Sequence, residues 1–289
     1  MTEEIIYLIF NIMDMKAVLT TLTLIVSFAC IADPVMRTEH KRAPLKGKVK
    51  IVRSYGLGTL DEAEVRARGK NFYSVDSFNE IGKKVYSYYV SEGINDGGTR
   101  YKYDVKGTLV EEYNEAVESK LIKRTIYMYD TIGRLIQELW MWSDESLVYM
   151  SKKYTYASGL LVTREVSNSQ GVYRTDYSYN DKGQVISETN HHPVSAGSTT
   201  TYTYYDNGNI LSETNIYGFG SVKTTYTYDK HNNEILAEEQ VDNEPVRRSF
   251  TSEYIYDSNG NWIRVIEDFP SDYADSPAKQ MFIREIEYY

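Results

Sequence analysis

Apolar and polar residues alternate along most of this chain, and the same turn interrupts the alternation at regular intervals. The unit is a tyrosine doublet with one residue between, then Asp or Asn, then glycine four residues past the second aromatic. It reads Tyr101-Lys-Tyr103-Asp104-x-x-Gly107, Tyr127-Met-Tyr129-Asp130-x-x-Gly133, Tyr177-Ser-Tyr179-Asn180-x-x-Gly183 and Tyr254-Ile-Tyr256-Asp257-x-x-Gly260. A period of two puts both rings of a doublet on one face of a strand. Aligned on the second aromatic, the copies fall at Phe78, Tyr103, Tyr129, Tyr156, Tyr179, Tyr204, Tyr228 and Tyr256, between 23 and 28 residues apart. A constant local motif at variable spacing marks an array of one supersecondary unit with insertions confined to loops.

The turn carries its own chemistry. Six copies have glycine at the fourth position (Gly82, Gly107, Gly133, Gly183, Gly208, Gly260), one has Asn232, and one has Gly159 a residue early. Gly and Asn tolerate a left-handed backbone, so a positive φ is predicted there. The preceding Asp or Asn is placed to bond the turn backbone two residues on. The returning strand reads Leu109-Val-Glu-Glu112, Leu135-Ile-Gln-Glu138, Val185-Ile-Ser-Glu188 and Ile210-Leu-Ser-Glu213. Strict alternation would put Leu135 and Leu139 on the tyrosine face and Ile136 and Glu138 on the other. A turn one residue longer would displace the seventh copy to Ile235-Leu-Ala-Glu238. Alternate positions in the outgoing strands (Lys102, Thr155, Ser178, Thr203, Thr227) are polar and are expected in solvent. Trp262 aligns with Leu135 and Val185 and is expected in the core. Only Leu60–Arg68 has helical periodicity. The prediction is an all-β fold, an antiparallel meander of about sixteen strands in repeated hairpins.

The Tyr-x-Tyr-Asp-x-x-Gly-x-Leu pattern resembles the YD repeat of the Rhs family of bacterial surface and toxin proteins, over residues 70–289. The resemblance implies strands of a spiralling β-sheet shell, and relatives of that kind are linked to carbohydrate binding. Large members carry an Asp-Pro-containing autoproteolytic motif and a C-terminal toxin; here the sole Asp-Pro is Asp33-Pro34, so toxin delivery does not carry over. Eight repeats look too few for a large closed shell, and a curled open sheet is expected.

Composition adds a compartment. Tyrosine supplies 28 of 289 residues, which suits a half-buried sheet, and the net charge of −9 argues against a nucleic-acid partner. Met15-Lys16, the uncharged stretch Ala17 to Ala29, and Cys30 together have a signal-peptide layout too short to span a bilayer. The acids Glu3, Glu4 and Asp14 do not suit the start of such a segment, so Met15 is the expected true start. Ser27-Phe28-Ala29-Cys30 resembles a bacterial lipobox, with Ser27 where an aliphatic residue is usual. Cys30, the one cysteine, is the lipidation candidate; cleavage after Ala29 or Ala32 is the alternative. The predicted layout is a signal peptide over 1–32, a linker over 33–47 and a repeat domain over 48–289. The expected location is outside the inner membrane, as an outer-membrane-anchored lipoprotein or a periplasmic or surface protein.

No catalytic constellation stands out, and no cofactor is expected. His191-His192-Pro193 falls in a loop where adjacent side chains diverge, and no metal site is expected. Asp257-Ser-Asn259-Gly260 has its glycine at the fourth position, not the sixth of a calcium loop. Glu112, Glu138, Glu188, Glu213 and Glu238 form a repeat-equivalent series, read as a solvated edge or face, and no pair is singled out for hydrolysis. The binding candidates are Trp140 and Trp142, expected on the outer side of the strand Leu135–Trp142, where sugar rings stack on exposed aromatics. The expected function is therefore non-catalytic binding of a polysaccharide or envelope protein, with membrane contact only through a lipid anchor. The alternatives are a structural interaction module and a vestigial toxin-shell fragment.

Overall fold

A computed structural model describes residues 44–57, 60–116, 123–142, 148–193, 197–269 and 279–289. Strand β1 (Val49–Leu57) precedes a short helix α1 (Glu62–Arg68), and the repeats follow. They begin with β2 (Tyr73–Phe78), β3 (Lys84–Ser91), β4 (Ile94–Tyr103), β5 (Leu109–Ala116), β6 (Lys123–Tyr129) and β7 (Leu135–Trp142). Next come β8 (Val148–Ala157), β9 (Leu160–Asn168), β10 (Gly171–Tyr179), β11 (Val185–His191), β12 (Ser198–Tyr204) and β13 (Ile210–Tyr217). The last are β14 (Gly220–Tyr228), β15 (Glu234–Val241), β16 (Arg247–Tyr256), β17 (Trp262–Asp268) and β18 (Lys279–Tyr288).

Each strand pairs antiparallel with its sequence neighbour, and β1 also pairs with β18, from Val49 opposite Tyr288 to Leu57 opposite Met281. The sheet is therefore a closed barrel of 18 strands, which corrects both the open curled sheet and the count of sixteen. The seam joins the two ends of the repeat domain, and β1 carries no tyrosine doublet to mark it as part of the array. Closure leaves no strand edge unpaired. Helix α1 lies against the seam. Asp61 Oδ1 accepts the amides of Ala63 and Glu64, and Val65 is fully buried with Tyr55, Met281 and Ile283.

The turns follow the predicted chemistry. Gly82, Gly107, Gly133, Gly183, Gly208 and Gly260 have φ between 74° and 90°, and Asn232 has 65°. In the repeat around Gly133, Asp130 Oδ1 accepts from the amides of Ile132 (3.0 Å) and Arg134 (2.9 Å). Asp130 N in turn donates to Arg134 O.

Directly after each turn the register slips by one. Tyr129 faces Leu135, but Met128 faces Gln137 and Tyr127 faces Glu138. The same slip separates Tyr179–Val185 from Tyr177–Glu188 and Tyr204–Ile210 from Tyr202–Glu213. It is a β-bulge, an extra residue that flips the parity of the rest of the strand. Leu135 and Glu138 thus share the tyrosine face, which overturns the expectation that Glu138 points away. In the seventh copy the turn keeps its length: Tyr228 faces Glu234 and Tyr226 faces Ala237. The acid there stands one bulge early rather than displaced to Glu238.

The two faces differ in burial. Tyr154, Tyr177, Tyr202, Tyr226, Leu135, Leu161 and Trp262 are buried on the tyrosine face, while Lys102, Thr155, Ser178, Thr203 and Thr227 on the other are exposed. Side chains converge on the concave side of a closed sheet and diverge on its convex side, so the tyrosine face lines the inside. Among the described residues each strand packs against its ladder neighbours, and α1 packs against β1 and β18, with Glu62 also paired to Arg264 of β17 at 2.7 Å. At a strand spacing of about 4.8 Å, eighteen strands make a ring roughly 86 Å round, which inward tyrosines do not fill.

Candidate functional site

The inner face is built from a hydroxyl–carboxylate lattice that both sequence motifs serve. The first tyrosine of a doublet donates to the glutamate of the preceding returning strand: Tyr127 to Glu112, Tyr154 to Glu138, Tyr202 to Glu188 and Tyr226 to Glu213. The second donates to the main-chain carbonyl where the preceding returning strand begins. Tyr129 reaches Leu109 O at 2.7 Å, Tyr156 reaches Leu135 O at 2.8 Å, Tyr179 reaches Leu161 O at 2.6 Å and Tyr204 reaches Val185 O at 2.5 Å. A buried carbonyl at a bulge needs such a donor.

Of the five glutamates expected at a solvated edge or face, Glu112, Glu138 and Glu188 are buried and Glu213 is half-buried, while Glu238 is exposed; Glu234 is buried as well. Burial pushes the Glu112 carboxyl up to about 7, with the negative charge of Glu138 adding to the shift; the Tyr127 hydroxyl, Lys84 and Lys152 oppose it. Burial, followed by the nearby glutamates, likewise holds the Tyr127, Tyr202 and Tyr226 hydroxyls far above the ordinary phenol range.

The bulge also relocates the tryptophans. Trp140 faces Thr125 and Trp142 faces Lys123, two and four residues past Glu138 on the inner face, not on the outer side. Trp140 Nε1 donates to Glu138 Oε2 at 3.1 Å, and Lys152 Nζ lies 3.2 Å from the same oxygen and 5.2 Å from the Trp140 ring centre. A second bulge, between Trp140–Met150 and Met141–Val148, turns Tyr149 to the same side. Tyr149 stacks on Trp142 at 4.9 Å, and Lys123 Nζ lies 5.3 Å from the Trp142 ring. The result is a half-buried aromatic platform bordered by two ammonium groups, at the end of the barrel away from the tight turns.

At the same end a groove of about 520 Å³ crosses β9 to β13. Arg164, Val166, Tyr173, Thr175, Asn190 and His192 line it, and the hairpin tip Tyr217–Phe219 forms one wall. Phe219 is 91% exposed and stacks on Tyr217 at 5.6 Å. The adjacent histidines diverge as expected: His191 pairs with Asp176 at 3.0 Å on the outer face, while His192 meets the Tyr173 ring edge-on at 4.8 Å. The sequence pattern does not disclose this groove, whose aromatics come from loops and strand ends outside the doublets.

Asp257 Oδ1 accepts two turn amides and Oδ2 accepts from Tyr288, so its carboxylate serves the fold. Among the described residues no cluster of three or more metal-ligating side chains gathers. Trp262 is buried as expected. Cys30 lies outside the described residues.

No family model matches the chain, and no curated protein matches it. Two solved structures are similar in part. One is the Tc holotoxin pore of Photorhabdus luminescens, at 15% identity and a TM-score of 0.35, over 67% of this chain. The chain spans 12% of the length of that protein. The other is a porin-like protein from Bacteroides uniformis, at 11% identity and a TM-score of 0.45, over 84% of this chain and 99% of that one. Neither likeness is close enough to carry a functional argument.

Proposed function

We propose that this is a non-catalytic carbohydrate-binding barrel of the bacterial envelope, of the YD-repeat kind, that holds its ligand against inner-face aromatics. The observation that carries the reading is the Trp140–Trp142–Tyr149 platform, half-buried, held on rigid strands and bordered by Lys152 and Lys123. Flat aromatic surface beside hydrogen-bonding groups suits a sugar ring, whose C–H face packs on the π-system while its hydroxyls reach polar partners. The glutamates fit binding better than hydrolysis, because each of the four in the lattice is tied to a tyrosine hydroxyl and they recur as structural equivalents.

The wall is a poor candidate for lipid contact. Its outer face carries Glu111, Arg124, Lys153, Glu165, Asp176 and Lys223 within strands, and charges on a lipid-facing strand cost up to about 2–4 kcal/mol each at the bilayer midplane. The inner face carries the buried glutamates. Membrane attachment through lipidated Cys30 after export is the arrangement consistent with this. Incorporation of a palmitate analogue by wild type but not by Cys30→Ala tests it, and equal labelling refutes it.

The functional test is retention on a panel of bacterial, host and plant polysaccharides. Trp140→Ala with Trp142→Ala abolishes retention on a bound member while the fold survives; unchanged retention removes this platform from the account. A second reading, an envelope interaction module, is favoured by apolar side chains exposed on the outer face, such as Met128, Ile136, Ile186 and Ile255. It requires a stable oligomer or a captured envelope protein, and a blank glycan panel.

A further inference from the structure

The position that carries glutamate in four copies carries Arg164 in another. Tyr154 faces Arg164 across β8 and β9, whereas Tyr101 faces Glu112, Tyr127 faces Glu138, Tyr177 faces Glu188 and Tyr202 faces Glu213. A run of inward carboxylates is thus broken by a single cation at the Glu position. The copy is also the one whose turn is a residue shorter, with Ser158 and Gly159 both at positive φ.

Arg164 gains no structural partner that accounts for it there. Its Nε is buried and has no hydrogen-bond partner, and no ion pair to it occurs among the described residues. A buried guanidinium nitrogen without an acceptor is costly, so the group is poised for an acceptor supplied from outside. It opens into the groove that crosses β9 to β13, beside Tyr173, Asn190, His192 and Phe219. Two arginines and two histidines line that groove with no carboxylate, in a chain of net charge −9. Arg174 and His191 are already paired with Asp176, which leaves Arg164 as the charge on offer. Lys152, on the platform side, is committed to Glu138.

We infer that this groove takes an acidic sugar, a uronic or sialic acid, whose carboxylate pairs with Arg164 while its ring packs against the aromatics Tyr173 and Phe219. The inference rests on the carbohydrate-binding reading and adds the site and the charge class of the ligand. The guanidinium fork matches a carboxylate in two parallel hydrogen bonds, which neutral sugars lack the charge to exploit.

The test is calorimetric titration of the full-length protein with tri-galacturonate, with its methyl ester and with sialyllactose, using wild type, Arg164→Gln, Arg164→Glu and Phe219→Ala. Arg164→Glu installs the carboxylate found at this position in four other copies, so the barrel stays folded by thermal melt while the site loses its cation. The expected result is saturable binding of an acid by wild type, about 10- to 100-fold weaker binding by Arg164→Gln, none by Arg164→Glu, and weaker binding of the ester than of the acid. Phe219→Ala weakens the acid by about tenfold. Equal affinity of wild type and Arg164→Glu for the acid overturns this inference and leaves the carbohydrate reading standing. Binding of the neutral ester as tightly as the acid does the same. A folded protein that binds neither these acids nor any member of the polysaccharide panel overturns both.

Discussion

Replacing Glu112 by glutamine tests whether the inner face keeps carboxylates at a cost. The side chain is 6% exposed, the Tyr127 hydroxyl donates to it, and its Oε1 finds no hydrogen-bond partner among the described residues. Burial, more than the charge of Glu138, raises the folded-state value to about 7, against an ordinary 4.5. A folded value above the unfolded one means that the native state holds the proton more tightly. The stabilisation is therefore complete below the unfolded value and is lost as pH rises through about 7. At about 1.4 kcal/mol per pKa unit, the loss between pH 4.5 and pH 8 is at most about 3 kcal/mol, an upper limit because unfolded-state interactions and local water reduce it. Glutamine keeps an acceptor for Tyr127 and carries no charge to desolvate. Urea denaturation at pH 5 and pH 8 is the assay. Wild type minus Glu112→Gln isolates this group from every other titration. The gap should shift in favour of the mutant by about 2–3 kcal/mol from pH 5 to pH 8. Parallel stability curves, with no shift in the gap, refute the reasoning.

The remaining predictions concern single repeats. Tyr129→Phe removes the donor that reaches Leu109 O at 2.7 Å, leaving a carbonyl at a bulge unpaired, and should cost about 1–2 kcal/mol in denaturant titration. Gly133→Val places a β-branched residue at φ 87° where no atom lies within 4 Å of the added Cβ, so its cost of at least about 1–2 kcal/mol is torsional rather than steric, and Gly133→Asn should recover most of it. Asp130→Ala strips the acceptor from two turn amides and should cost about 1–2 kcal/mol, with greater loss of amide protection in β6 and β7 than elsewhere. The tryptophan pair behaves differently: Trp140→Ala with Trp142→Ala should lose ligand retention with a melting temperature within a few degrees of wild type.

How much of this the sequence carried depends on whether a feature is local. Turn chemistry is local, and the glycines, Asn232 and the Asp or Asn before them are legible residue by residue. The bulge is local too, but it is written as an i, i+3 spacing between Leu135 and Glu138. Reading that spacing with a period of two sends every later residue of the strand to the wrong side. That single step misplaced Glu138, Trp140 and Trp142 together. The partners of the lattice hydroxyls lie 13 to 21 residues away, as with Tyr226 to Glu213 and Tyr156 to Leu135 O, so the motif's purpose emerges only once strands are paired. Closure is the least local feature. The contact of Val49–Leu57 with the final strand spans more than 220 residues, and neither segment advertises the other. The exceptional residue was readable in principle, since Arg164 stands where four other copies carry an acid. It becomes visible only when copies are aligned on the returning strand rather than on the doublet.

The central claim is that the eighteen strands close into a ring. Paired cysteines at Arg53→Cys and Glu285→Cys, facing each other across β1 and β18, test it in a Cys30→Ser background. A second pair, Thr201→Cys with Thr214→Cys across β12 and β13, controls for reactivity between adjacent strands. The account predicts that mild oxidation joins both pairs within one folded chain, and that the seam pair stops forming in urea. Linkage of the control pair with no intramolecular linkage at the seam would contradict the closed barrel.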